Sequence, residues 1–169
     1  MLSIIVALFC TGCGLKIHKN YEFSEPEISL ISGSIRAKLR GTMLRVDDVT
    51  SVSGAPYEML LWFKLNSASH VGGCIISLTE MALKNTETGD LVSIPKSATA
   101  AFRQKADGSF IASISVKNLN LLYSDHEMSF VYSSNDDCGP IELSSPITMR
   151  FSKDYSEREI SFWDTLMGV

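Results

Sequence analysis

Short runs in which apolar and polar residues alternate recur along the chain, punctuated by Gly, Pro, Asn and Asp. Residues 34–40 (Ser-Ile-Arg-Ala-Lys-Leu-Arg) alternate strictly, and residues 43–46 resume after Gly41. That pattern predicts a hairpin or a pair of edge strands. Residues 57–65 carry Met59, Leu61 and Phe63 on one face and Leu60 and Trp62 on the other, as expected for a strand covered on both sides. Further runs fall at 74–83, 91–94, 99–103, 110–116, 128–132 and 147–151. Asp107-Gly108 lies between two of them, and Gly tolerates the positive φ that tight hairpin turns require. About nine short strands at roughly ten-residue spacing predict an all-β fold, an antiparallel β-sandwich of immunoglobulin-like or related type. A closed barrel is the alternative.

Only the C-terminus reads as helical. Ser156 and Glu159 have the spacing of a capping box, and Ile160, Trp163 and Met167 follow at helical intervals. A short C-terminal helix is expected to cover an open edge or end of the sandwich. In the alternative, Phe162 and Trp163 form an exposed anchor for a partner protein.

At the other end, residues 2–9 (Leu-Ser-Ile-Ile-Val-Ala-Leu-Phe) are almost unbroken in their apolarity. The run is too short to cross a bilayer as a helix, which takes about 20 residues. Its length suits the apolar region of a secretory signal, and the small residues Thr11 and Gly12 follow before Cys13. The stretch Phe9-Cys10-Thr11-Gly12-Cys13 resembles the lipobox of bacterial lipoproteins. The resemblance implies that residues 1–12 are a signal peptide and that Cys13 receives the diacylglyceryl thioether and becomes the mature N-terminus. Residues 13–26 would then be the lipidated N-terminus and tether, and 27–169 a single β-sandwich domain. Gly14 is not the aspartate that retains such lipoproteins at the inner membrane, so the same resemblance favours the periplasmic face of the outer membrane. No Lys or Arg precedes the apolar run, and an upstream start codon is expected to supply one.

With Cys10 removed and Cys13 lipidated, Cys74 and Cys138 remain. An even pair in an exported protein is a candidate disulfide; two unrelated buried thiols are the alternative.

Fifteen Lys and Arg against nineteen Asp and Glu give a net charge of −4, which argues against a nucleic-acid partner held through its phosphates. With 45% hydrophobic and 20% charged residues in a chain of 169, one packed core is expected and disorder is not. The histidines are His18, His70 and His126. Asp125-His126-Glu127 reads as a polar turn, because neighbours on a strand point to opposite faces and cannot act together. The chain has no G-x-S-x-G elbow, H-E-x-x-H, P-loop or G-x-G-x-x-G, so no catalytic residue, metal site or cofactor is expected. Asp47-Asp48 and Asn135-Asp136-Asp137 have turn composition without the spacing of a calcium loop. Asp136 and Asp137 adjoin Cys138, and a disulfide there would make them a rigid docking element for a basic protein.

The resulting expectation is a non-enzymatic protein-binding lipoprotein held at the membrane by its N-terminal lipid. Its size, anchor and strand pattern resemble two groups of envelope lipoproteins. One comprises immunity proteins that block a secreted antibacterial effector. The other comprises structural lipoproteins of secretion machines, such as the small outer-membrane sandwich of type VI systems or a pilotin. An envelope hydrolase or a carrier of a small apolar ligand is the alternative from another class. Metabolic labelling with palmitate should tag the wild-type chain and leave Cys13→Ser unlabelled; a bare product that retains Met1 would exclude the anchor.

Overall fold

The computed structural model describes residues 16–30, 33–66, 73–138 and 146–160. Twelve strands lie among them: β1 (Lys16–Phe23), β2 (Glu27–Leu30), β3 (Gly33–Arg45), β4 (Thr50–Leu65), β5 (Ile75–Asn85), β6 (Leu91–Val92), β7 (Ala98–Ala101), β8 (Arg103–Gln104), β9 (Phe110–Leu119), β10 (His126–Ser134), β11 (Ile147–Phe151) and β12 (Lys153–Ile160). They form a seven-stranded and a five-stranded sheet. The two pack face to face, so the fold is an all-β sandwich.

Each sheet is organised around one strand. In the larger, ordered β12-β1-β4-β3-β2, β4 is the axis. Strand β3 follows it from Gly33 opposite Leu65 to Arg45 opposite Ser51. Its other edge is shared, with β1 beside Thr50–Ser53 and β9 beside Tyr57–Leu65. In the smaller sheet, β5 has β10 on one edge and β6 and β7 in succession on the other, and β11 completes the sheet on β10.

Period-two alternation sends one set of side chains inward. Ile35, Ala37 and Leu39, then Met59, Leu61 and Phe63, and Ala112 and Ile114 line the inner face of the larger sheet. Ile76, Leu78 and Leu83 meet them from the smaller sheet, with Met128, Phe130 and Phe151, and all are buried. The Phe63 and Phe130 rings meet edge to face across the interface at 6.3 Å.

Several expectations are corrected by this arrangement. Residues 43–46 do not begin a new strand, because β3 continues through Gly41 with a register shift at Gly41/Thr42. A Cβ on Gly41 would stand 2.7 Å from the Gly54 nitrogen, so a side chain there would force the paired strands apart at the bulge. Residues 57–65 have a single buried face; Leu60 and Trp62 are half-exposed, because no second layer lies over the outside of this sheet among the described residues. The sandwich is not wholly antiparallel either, since β1 and β4 run parallel. Residues 99–103 divide between the sheets: β7 joins the smaller, β8 the larger, with buried Phe102 at the crossover. The expected turn at Asp107-Gly108 is present, with Gly108 at φ 82° and Asp107 Oδ1 accepting from the Ser109 amide at 3.0 Å.

Of the stretch assigned to a tether, residues 16–26 are instead part of the domain. Residues 16–23 are β1, with Phe23 buried in the core, and the Pro26 carbonyl accepts the Ala37 amide at 3.0 Å. The burial of β1 does not follow a single alternating set, since His18 and Phe23, of opposite parity, are its buried residues and most others are half-buried.

The expected C-terminal helix is also overturned where it is described. Ser156–Glu159 belong to β12, paired residue for residue with β1 from Lys16 opposite Ile160 to Phe23 opposite Lys153. One turn of helix is marginal alone, and an open strand edge offers the same backbone a full ladder. The exposed, mostly charged side chains of β12 then blunt the sheet edge against further pairing. Phe162 and Trp163 lie outside the described residues, as does Cys13.

Asp125-His126-Glu127 is not a turn. His126 opens β10 and is 1% exposed. Its Nδ1–H donates to the Ser124 carbonyl at 2.6 Å, and its ring meets Phe23 edge to face at 5.7 Å. Tyr21, Tyr57 and Tyr123 complete this aromatic end of the core. The Tyr57 hydroxyl donates to the Tyr21 carbonyl at 2.9 Å, and burial above all pushes its pKa up to about 12. The phenol therefore stays a donor at physiological pH.

The sandwich has two distinct poles. At one, β1 begins and β12 ends beside the turn of residues 46–49, where the Ile17 amide donates to the Val49 carbonyl at 2.9 Å. At the other, roughly 50 Å away along β4 by strand rise, Leu65 meets Phe110, and Cys74 and Cys138 are joined in a disulfide across 64 residues of sequence.

Two predictions follow from the packing. Replacing both cysteines by alanine should lower unfolding stability by about 4 kcal/mol in the chain-entropy model, read as a lower urea midpoint. An unchanged midpoint would refute it. Burial, the largest influence on His126, lowers its pKa below the usual histidine value. The unfolded chain therefore takes up a proton first, and stability is lost as pH falls from about 6.5 toward the lower folded value. Thermal melts from pH 7.5 to pH 5.5 should show a steeper decline for the native chain than for His126→Gln.

Candidate functional site

The pole opposite Lys16 holds the loop that the sequence singled out. Asp136–Cys138 form a single 3-10 turn with Cys138 buried, and the bond to Cys74 ties that turn to the start of β5. Asn135 reinforces the tie. Its Oδ1 accepts the Ile75 amide at 2.9 Å, and its Nδ2 donates to the Gly73 carbonyl at 2.8 Å and to Asp137 Oδ2 at 3.2 Å. Asp136 and Asp137 are exposed, so the loop presents two carboxylates on a backbone held by one covalent and several hydrogen bonds.

The other acidic pairs have structural partners. Asp47 Oδ1 accepts the Val49 and Thr50 amides at 2.7 and 2.6 Å, which holds its carboxyl below the usual range. Asp48 pairs with Arg45 at 2.7 Å. Asp125 accepts the Lys153 amide and pairs with Arg150, each at 3.0 Å, and those partners, the amide first, lower its pKa. Asp125 therefore latches the start of β10 to β11 and β12. Among the described residues, no three His, Cys, Asp or Glu side chains converge in a way that would hold a metal ion.

A second feature near the same pole was not anticipated. On the outer face of the larger sheet, pairing places Ser34, Lys64, Ile111 and Arg103 in one row across β3, β4, β9 and β8. The adjacent row holds Glu27, Arg36, Trp62 and Ser113. Two depressions of 490 and 370 Å³ adjoin over these rows, with Lys105 and Ile111 lining both; the pair is termed the groove. Arg36 and Lys38 both pair with Glu25, and Arg40 with Glu58. The Lys38 hydrogen bond does most to lower the Glu25 carboxyl, and Ser115, donating at 2.7 Å, does most for Glu58. Lys64, Arg103 and Lys105 make no ion pair among the described residues. The nearby Asp107 carboxylate is lowered first by the Ser109 hydroxyl and amide, and less by Lys64 and Lys105. The outward alternation of Arg36, Lys38 and Arg40 is visible in the sequence. Their alignment with Trp62 and Arg103 depends on register, which is not.

No protein-family model and no curated protein matches the chain. Solved structures that align with it include a copper-bound variant of FetP from uropathogenic Escherichia coli strain F11, 11% identical over 83% of this chain and 91% of that one, with a TM-score of 0.36. Another is the copper-reconstituted P19 protein from Campylobacter jejuni, 14% identical over 81% of this chain and 95% of that one, with a TM-score of 0.34. Likeness at this level establishes neither a shared fold nor a shared site.

Proposed function

We propose that this chain is a lipid-anchored protein of the bacterial cell envelope that works by binding another protein and turns over no substrate. The observation that carries this reading is the Cys74–Cys138 disulfide at the pole opposite Lys16. Such bonds persist in exported proteins, and this one stiffens the end farthest from the start of β1.

The anchor itself would be Cys13, three residues before Lys16. A spacer that short reaches about 10 Å at most, so lipid at Cys13 would keep the first pole at the membrane surface. Met43, Leu44, Val46 and Val49 at that pole are 67, 49, 63 and 46% exposed, and exposed apolar clusters of this kind mark contact surfaces. The disulfide pole, with Asp136 and Asp137, would then project away from the bilayer toward a partner. Residence on the periplasmic face of the outer membrane is part of the same proposal. So is the partner's class, a secreted antibacterial effector held inactive or a subunit of an envelope secretion machine.

The chain extracted with its lipid from native membranes should co-purify with one protein at near one-to-one stoichiometry. The neighbouring genes would assign that protein to one class or the other. A chain that elutes alone and hydrolyses an envelope substrate would overturn the reading.

A further inference from the structure

We propose that the groove around Trp62 takes an acidic, partly apolar segment of a protein partner. The proposal rests on the binding-module reading above and specifies the chemistry of what is bound.

Charge comes first. The whole chain carries −4, yet Lys64, Arg103 and Lys105, which make no ion pair among the described residues, line the two depressions with Arg36, itself paired with Glu25; the carboxylates there are Glu27 and, near Lys64 and Lys105, Asp107. A local positive field selects an acidic occupant.

The floor is apolar. Trp62 and Ile111 are half-buried between the cations, with Ala100 and Ala101 along one side. Tryptophan and arginine are the residues enriched at energetically dominant interface centres, and Trp62 has Arg36 beside it across the strand pair.

Arrangement separates a peptide from a small oxyanion. A phosphate is held by donors that converge on one point. Here Lys64 and Arg103 lie two strands apart in one row, with Ile111 between them, a separation of about 10 Å. Arg36 stands in the next row beside Trp62. Charges spaced along an apolar floor fit an extended segment in which acidic and apolar residues alternate. The groove also lies close to the disulfide, since the Phe102 amide donates to the Cys74 carbonyl at 3.0 Å and Arg103 follows directly.

The probe is a fluorescein-labelled decapeptide alternating glutamate with leucine, titrated against the full mature chain by anisotropy. Lys64→Glu with Arg103→Glu should weaken its binding at least tenfold. The charge-matched pair Lys84→Glu with Lys96→Glu, outside the groove, should change it less than twofold. Trp62→Ala should weaken it at least fivefold without altering its salt dependence. Because Lys64 and Arg103 are exposed, their reversal leaves the core intact. Equal losses from the two charge reversals would overturn the proposal. So would displacement by millimolar inorganic phosphate, which would assign the groove to an oxyanion, or a sedimentation change showing that the peptide displaces a second copy of the chain. A co-purifying protein that survives Lys64→Glu with Arg103→Glu would overturn the groove alone, whereas absence of any co-purifying protein would overturn the binding-module reading.

Discussion

Strand β4 is hydrogen-bonded on both sides for most of its sixteen residues, and the placement of nearly every functional feature derives from that strand. Its inward residues Met59, Leu61 and Phe63 form the floor of the core. Its outward residues Trp62 and Lys64 form the centre of the basic groove. One pleat therefore sets both burial and recognition, because alternate side chains leave a strand on opposite faces. A one-residue slip against β3 would expose the core set and bury a lysine at the same time.

The length of β4 also separates the two ends of the molecule. The smaller sheet covers the stretch beyond Tyr57, and no residue from Met43 to Val52 belongs to the buried core. The uncovered part, with β1 and β12 alongside, is the pole where the chain enters and leaves the described structure. The covered part ends in the disulfide. Anchoring and presentation can thus occupy opposite ends of one rigid body without a hinge between them.

Charge is handled differently on the two faces of this body. Near the first pole and along the β10–β12 junction, carboxylates are engaged by backbone amides and single cations, as at Asp47 and Asp125. Exposed pairs of this kind add little stability and serve mainly to set turn geometry. On the outer face near the disulfide, Lys64, Arg103 and Lys105 make no ion pair among the described residues, although Asp107 lies near two of them.

The sequence alone determined the class of fold, because period-two alternation is a property of the chain itself, and it offered Cys74 and Cys138 as a candidate disulfide that the structure shows formed. It also placed the Asp107-Gly108 turn, whose geometry is local. It misjudged β1 and β12 for one shared reason. Both are polar strands whose stability comes from each other's backbone across more than a hundred residues, and a local capping pattern at Ser156–Glu159 cannot compete with that ladder. Residues 125–127 misled likewise, since a buried histidine between two acids is indistinguishable from a polar turn until Phe23 and Ser124 close around it. The groove was decided only by tertiary structure: Arg36, Trp62, Ile111 and Arg103 come from four strands, and cross-strand register alone brings them into adjacent rows.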